Sequence, residues 1–216
     1  MKQSSYGSEA FLKDSGVSRE TLDRLKLYAA LLETWNQKIN LVSKTTVRDL
    51  WRRHILDSAQ LFPLLPPGTQ TLLDLGSGAG FPGLVLAIMG GPHVHLVESD
   101  QRKCAFLREA ARVARAAVTV HARRIEDLTP FPADVITARA LAPVAELLDL
   151  AAPFIGEKTR LLFLKGQNVE VELTDAHKRW RISARNSASL TDSAGTVVCI
   201  DEVRRVDQPN QAVRNP

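Results

Sequence analysis

The stretch Thr71-Leu72-Leu73-Asp74-Leu75-Gly76-Ser77-Gly78-Ala79-Gly80-Phe81-Pro82-Gly83 reads as a short strand that runs into a glycine-rich turn and then into a helix with proline near its first turn. Glycines let a backbone approach a ligand closely, and the first amides of a helix are left unpaired, so a nucleotide-like ligand is expected here. A dinucleotide is not. Its pyrophosphate is held by G-x-G-x-x-G, whereas these glycines fall at 76, 78 and 80, with bulky Phe81 where the third should stand. Asp74, at the end of the strand, suits the ammonium of a methionine moiety better than a diphosphate. Glu98, closing the next apolar run, is placed to accept from both ribose hydroxyls. S-adenosylmethionine carries a nucleoside at one end and an amino acid at the other, and Gly76, Gly78 and Glu98 are its candidate contacts.

Downstream of this turn, short apolar runs alternate with helical stretches. Strands are expected near 70–75, 93–97, 117–121, 134–138 and 160–165, and helices near 82–89, 101–116, 143–152 and 169–177. The alternation predicts an α/β fold with a mostly parallel, twisted sheet covered on both faces. From Arg181 to Val206 two strand-like runs flank a turn at Asp192 to Gly195, so the sheet should end in an antiparallel hairpin. Upstream, Leu22, Leu25, Leu27, Tyr28, Leu31, Leu32 and Trp35 recur at helical spacing up to a polar turn at Asn36 to Asn40. A second helix is expected from Thr46, with Thr46-x-x-Asp49 as its capping box, through Trp51, Ile55, Ser58 and Leu61 to Pro63. These helices are too few to enclose a core of their own. They are read as a cap (1–66) belonging to the same domain as a core at 67–207, with a flexible tail at 208–216.

The 216-residue chain is 44% hydrophobic, which fits one compact domain and excludes disordered, collagen-like and disulfide-scaffold classes. With no apolar stretch of signal-peptide length at its start, it reads as a cytoplasmic protein without a membrane anchor. Cys104 and Cys199 are far apart and lack the neighbours of a zinc site, so both are expected as reduced core residues and no metal is expected. The net charge of +4 is unevenly spread: Gln101 to Arg124 holds seven basic residues and a single acid, Glu109. Within it Arg108, Arg112 and Arg115 form a stripe opposite Phe106, Ala110 and Val113, which suits phosphates and suits plain solvation equally.

Arg123-Arg124-Ile125-Glu126-Asp127 follows the third strand, where the adenine should lie. Ile125 is placed to pack on the ring and Glu126 to accept from its exocyclic amine, the alternative being a solvated acidic turn. Transfer of a methyl from sulfonium is a direct displacement that needs alignment rather than a covalent intermediate. The Asn/Asp-Pro-Pro-aromatic turn of exocyclic-amine transferases is replaced here by Ala138-Arg139-Ala140-Leu141, and neither cysteine stands at a strand end as pyrimidine-C5 chemistry requires. No general base or nucleophile stands out. A guanine N7 needs none, because its lone pair carries no proton to lose; a small molecule with an intrinsically nucleophilic atom fits as well. Arg139, over the expected methyl position, has four candidate roles: holding the methionine carboxylate, holding a guanine edge, contacting phosphate, or making a surface salt bridge. His54 and Asp57 are either a pH-sensitive pair facing the acceptor, or His54 is a buried, hydrogen-bonded histidine that docks the helical cap on the sheet. Lys165 meets RNA phosphate or is a solvated strand end.

Taken together, Trp35-Asn36-x-Lys38-Ile39-Asn40-Leu41, His54-Ile55-Leu56-Asp57-Ser58, the run Asp74 to Gly83, Ala138-Arg139-Ala140 and Lys165-Gly166 resemble, in order, the bacterial small-subunit ribosomal RNA methyltransferase G family, also called glucose-inhibited division protein B. The resemblance spans about residues 30 to 170 and is looser after Gln167. It implies a Rossmann-like class I S-adenosylmethionine-dependent methyltransferase acting on N7 of a guanine in 16S ribosomal RNA. It also implies cofactor contacts at Gly76, Phe81, Ile125, Glu126 and Arg139. The expected partner is that RNA or the small ribosomal subunit, met by a monomer. A protein or metabolite methyltransferase and a non-catalytic ribosome-assembly factor are the alternatives.

Overall fold

The computed structural model describes residues 6–206; the tail expected at 208–216 lies outside the described residues. Seven strands, β1 (Thr71–Leu75), β2 (His93–Glu98), β3 (Val118–Ala122), β4 (Ala133–Arg139), β5 (Ile155–Lys165), β6 (Trp180–Ala188) and β7 (Thr196–Arg205), form one sheet in the order β3-β2-β1-β4-β5-β7-β6. The first five run parallel, and β7 lies antiparallel to β5 and β6. Helices α1 (Ser8–Ser15), α2 (Arg19–Asn36), α4 (Gly83–Ile88) and α5 (Gln101–Val113) cover one face, and α6 (Val144–Ala151) and α7 (Val169–His177) the other. Strand order reverses between β1 and β4, which opens a crevice at their carboxyl ends. The glycine turn leaves β1 there and Arg139 ends β4 there.

The expected strands and core helices are present, with β5 beginning five residues earlier than its apolar run suggested. Two sequence expectations are corrected. The segment from Thr46 to Pro63 is not one regular helix: a 3-10 turn at Val47–Asp49 leads into a π-helical turn at Trp51–Leu56, a short α3 (Asp57–Ala59) and a 3-10 turn at Phe62–Leu64. Through this wider turn three successive residues, His54, Ile55 and Leu56, are buried while Arg52 and Arg53 are exposed. Nor is Thr46 the cap. Its own backbone is already helical and its side chain caps nothing; Ser43 accepts the Thr46 amide instead, at 3.1 Å.

The extent of the helix expected at 101–116 is the second correction. α5 starts on Asp100, whose carboxylate accepts from the Arg102 and Lys103 amides, and ends at Val113. Arg115 lies beyond it at φ +50°, in the turn where the Ala116 amide returns to the Ala111 carbonyl, and Arg112 is held bidentate by Glu109. Arg108 and Arg112 therefore share the exposed face of α5, one turn apart, and Arg115 leaves the helix.

In α2, Leu22, Leu25, Tyr28, Ala29 and Leu32 form the buried face, whereas Leu27 faces solvent. Tyr28 is fully buried between Phe81 and Phe106, and its hydroxyl donates to the Ala79 carbonyl at 2.6 Å, which ties the N-terminal helices to the glycine turn. Tyr28→Phe leaves that buried carbonyl without its donor. It is expected to cost about 1–3 kcal/mol in denaturant unfolding, and an unchanged midpoint would contradict the tie.

Candidate active site

Gly76, Gly78, Phe81, Glu98, Ile125, Glu126 and Arg139, drawn from four separate stretches of sequence, all line one cavity of about 500 Å³ at the β1–β4 crevice. The volume is in the range of pockets that hold nucleotide-sized ligands. The turn's glycines have specific duties. Gly78, at φ +55°, leaves open space beside it in the cavity wall. Gly83 lets α4 meet β1: a Cβ there would lie 2.7 Å from Asp74 Cβ. Glu98 clamps the turn, with Oε2 accepting from the Gly78 amide at 3.0 Å and Oε1 from the Asp100 amide at 2.8 Å. Each oxygen keeps a second lone pair.

Asp74 does not present its carboxylate to the cavity as expected from the strand end. Side chains alternate along β1, so Asp74 turns with Leu72 towards the α4 face and is fully buried. Its Oδ1 accepts from the Thr137 hydroxyl at 2.7 Å across the β1–β4 register, and Oδ2 has no hydrogen-bond partner among the described residues. Burial pushes its pKa up to about 6, opposed by Thr137, Ser77 and the Gly83 amide.

Arg139 is the junction between cap and sheet. Its guanidinium lies 4.7 Å from the Phe81 ring centre, with NH2 2.8 Å from His54 Nδ1 and NH1 donating to the Arg53 carbonyl at 3.2 Å and to Asp57 Oδ2 at 3.3 Å. Both charged side chains are largely withdrawn from solvent, at 17% and 16% exposure, so the salt bridge is not a surface one. His54 stacks on the same ring at 5.0 Å. Because Nδ1 faces the arginine it must accept, and burial together with the Arg139 and Arg53 charges holds the imidazole neutral, down to about 3. His54 is therefore the docking histidine rather than half of a titrating pair with Asp57; both reach Arg139 instead.

Lys165 is not a solvated strand end. Its side chain is 9% exposed, and its ammonium is held by Glu172 at 2.6 Å and the Ala142 carbonyl at 2.8 Å, which fastens α7 to the end of β5. Sequence reasoning did not find Leu41, Lys103 or Leu141 in the cavity wall. Leu41 had a readable signal in the Asn36-to-Leu41 motif: Asn36 Oδ1 accepts from the Leu41 and Val42 amides and folds that loop over the crevice. The hairpin loop after β6 was also unassigned, and it reaches the cap. Asp57 Oδ1 accepts from the Thr191 hydroxyl at 2.6 Å, Gln60 accepts from the Leu190 amide, and Arg53 pairs with Asp192 at 3.1 Å.

These environments set a pH dependence of stability. His54 at about 3 and His95 at about 4, the latter lowered by burial and then by His121 and His93, bind fewer protons folded than unfolded below pH 6.5. Their share of stability therefore rises with pH across that window. Asp74 works in the other direction, keeping its proton when folded between 3.8 and about 6, so its share falls as pH rises. With two groups against one, urea midpoints should rise from about pH 4.5 to about pH 6.5 and rise more steeply in Asp74→Asn. A flat profile would contradict the neutral, buried His54.

No helix among the described residues is long and apolar enough to cross a membrane. By shape the chain is similar to a ribosomal protein L11 methylase of Lactobacillus delbrueckii, with TM-score 0.57, 13% identity, and coverage of 67% of this chain and 76% of that one. It is also similar to a TehB-like SAM-dependent methyltransferase of Corynebacterium glutamicum, with TM-score 0.52, 17% identity, and coverage of 68% and 87%. At those identities the likeness establishes the fold, a Rossmann-like class I methyltransferase sheet. By sequence it is 60% identical, over 92% of this chain and 97% of the relative, to the ribosomal RNA small subunit methyltransferase G of Paramagnetospirillum magneticum. It is 56% identical, over 91% and 98%, to that of Rhodospirillum rubrum. The family model for rRNA small subunit methyltransferase G matches residues 21–197, which takes in most of the cap, the glycine turn, Arg139 and the hairpin loop, and this chain belongs to that family.

Proposed function

We propose that this methyltransferase moves the methyl group of S-adenosylmethionine to N7 of a guanine in 16S ribosomal RNA. The observation that carries the reading is the convergence of the seven candidate contacts on one crevice whose inner edge is Arg139. The residues present fit the cofactor. Glu98 stands beside open Gly78 where ribose hydroxyls need an acceptor, Ile125 supplies an apolar wall for a purine and Glu126 an acceptor for its amine. When bound, the cofactor supplies a methyl carbon on a cationic sulfur, which an in-plane lone pair displaces as the thioether departs with the bonding electrons.

What the chain adds is alignment. Phe81, held between Tyr28, His54 and Arg139, fixes the far side of the turn, and no residue is required to take a proton because guanine N7 loses none. The neutral His54, whose Nδ1 is already committed to Arg139, has no role as a base. The chain acts as a cytoplasmic monomer on the small subunit or its RNA. Small subunits from cells lacking the protein should accept labelled methyl from S-adenosylmethionine, and the label should lie at a guanine N7. Label in protein or in a metabolite fraction, with none in the RNA, would replace this reading with one of the other acceptors.

A further inference from the structure

Arg139 and Ala140 line more than the main cavity. On the side away from the glycine turn they also wall two adjoining pits, of about 210 and 240 Å³. Both pits are closed by the loop that joins β6 to β7, and Asp57 and Asp192 line both. Ala140, which lines the cavity and both pits, sits at φ +51°, a backbone conformation a non-glycine residue rarely holds.

The two carboxylates differ in what they have left to offer. Asp57 is 16% exposed and accepts from Arg139, Gln60 and Thr191. Asp192 is 39% exposed and, among the described residues, accepts one bond at each oxygen, from Arg53 at Oδ2 and from the Ala194 amide at Oδ1. A carboxylate has about four lone-pair sites, so Asp192 retains unpaired acceptors where it lines the two pits, and Arg139 lines both pits with it.

We propose that these pits receive the acceptor guanine, with Asp192 accepting from its N1–H and N2 amine while its N7 edge faces the cavity across Arg139 and Ala140. The pairing selects the base. Guanine offers two donors on that edge, whereas adenine offers a lone pair at N1, which a carboxylate repels. A base taken out of its stack is read in this way, by its Watson–Crick edge in a side pocket. The interaction also strengthens during the reaction. As N7 gains the methyl the ring becomes cationic and N1–H more acidic, so the bond to Asp192 is tighter in the transition state than in the bound substrate. The inference rests on the guanine-N7 reading and gives the hairpin loop its work.

The test uses the full chain and small subunits reconstituted with 16S RNA that carries guanosine or inosine at the target position. Inosine keeps N1–H and lacks the N2 amine. Wild type should methylate guanosine about 10-fold faster in kcat/KM than inosine, and Asp192→Ala should bring the two within about 3-fold by slowing guanosine, mainly in kcat. Arg53→Ala removes the ion pair but leaves the carboxylate, and it should keep the wild-type ratio. The assignment is overturned if Asp192→Ala keeps the guanosine preference, or if Arg53→Ala erases it as fully, since anchoring of the loop would then set the ratio. If wild type makes no 7-methylguanosine at all, the guanine-N7 reading fails first. A retained ratio with 7-methylguanosine formed removes only the role of Asp192.

Discussion

Arg139→Ala is expected to abolish methyl transfer and to lower the thermal midpoint by roughly 6–12 °C, from a loss of about 3 kcal/mol or more at roughly 2–4 °C per kcal/mol for a chain of this size. The loss comes from what the substitution leaves behind. Asp57 keeps a largely buried carboxylate with its cation gone, His54 Nδ1 and the Arg53 carbonyl lose their donor, and the Phe81 ring loses the guanidinium over its face. Cap and sheet are then joined at this point through the His54–Phe81 stack and the hairpin loop. Arg139→Lys should not restore activity, because a single ammonium cannot reproduce a planar fork that reaches His54, Asp57 and the Arg53 carbonyl at once. Scanning calorimetry and a transfer assay on both variants check this. A wild-type midpoint in Arg139→Ala would remove Arg139 from its place as the junction.

The second large effect separates binding from folding. Gly78→Asn should reduce affinity for S-adenosylmethionine at least 100-fold while costing about 1 kcal/mol or less of stability. Asparagine is one of the few side-chain-bearing residues that visit the left-handed region routinely, and a Cβ at Gly78 has only the Gly76 carbonyl oxygen near it, at 3.8 Å. The new side chain therefore fits the fold but stands in the cavity wall beside Glu98. Equilibrium titration and denaturant unfolding measure the two quantities. Wild-type affinity with the variant folded would place the cofactor elsewhere.

The main features of the fold were legible because they are local. Buried parallel strands read as apolar runs, and the glycine turn, Glu98 and the Ile125-Glu126 pair each follow a strand end, where topology brings them together without further information. What escaped was non-local or unfavourable to periodicity. Nothing in the spacing of Trp51 to Leu56 announces a π-helical turn, because that turn is stabilised by the burial of His54 against Phe81 and by Arg52 and Arg53 reaching the hairpin loop about 139 positions away. Asp74 was assigned by its place at a strand end, but the two-residue period of the strand turned it inward. Lys165 looked free because its partner, Glu172, lies on the following helix and only the docking of α7 brings the two together.

The most direct test of the central claim is chemical cleavage at 7-methylguanosine in the 16S RNA of cells that lack this protein, with wild type or Gly78→Asn supplied in turn. The account predicts one cleavage site that disappears with the protein, returns with wild type and does not return with the folded Gly78→Asn variant. A site that persists without the protein, or one that Gly78→Asn restores in full, would contradict it.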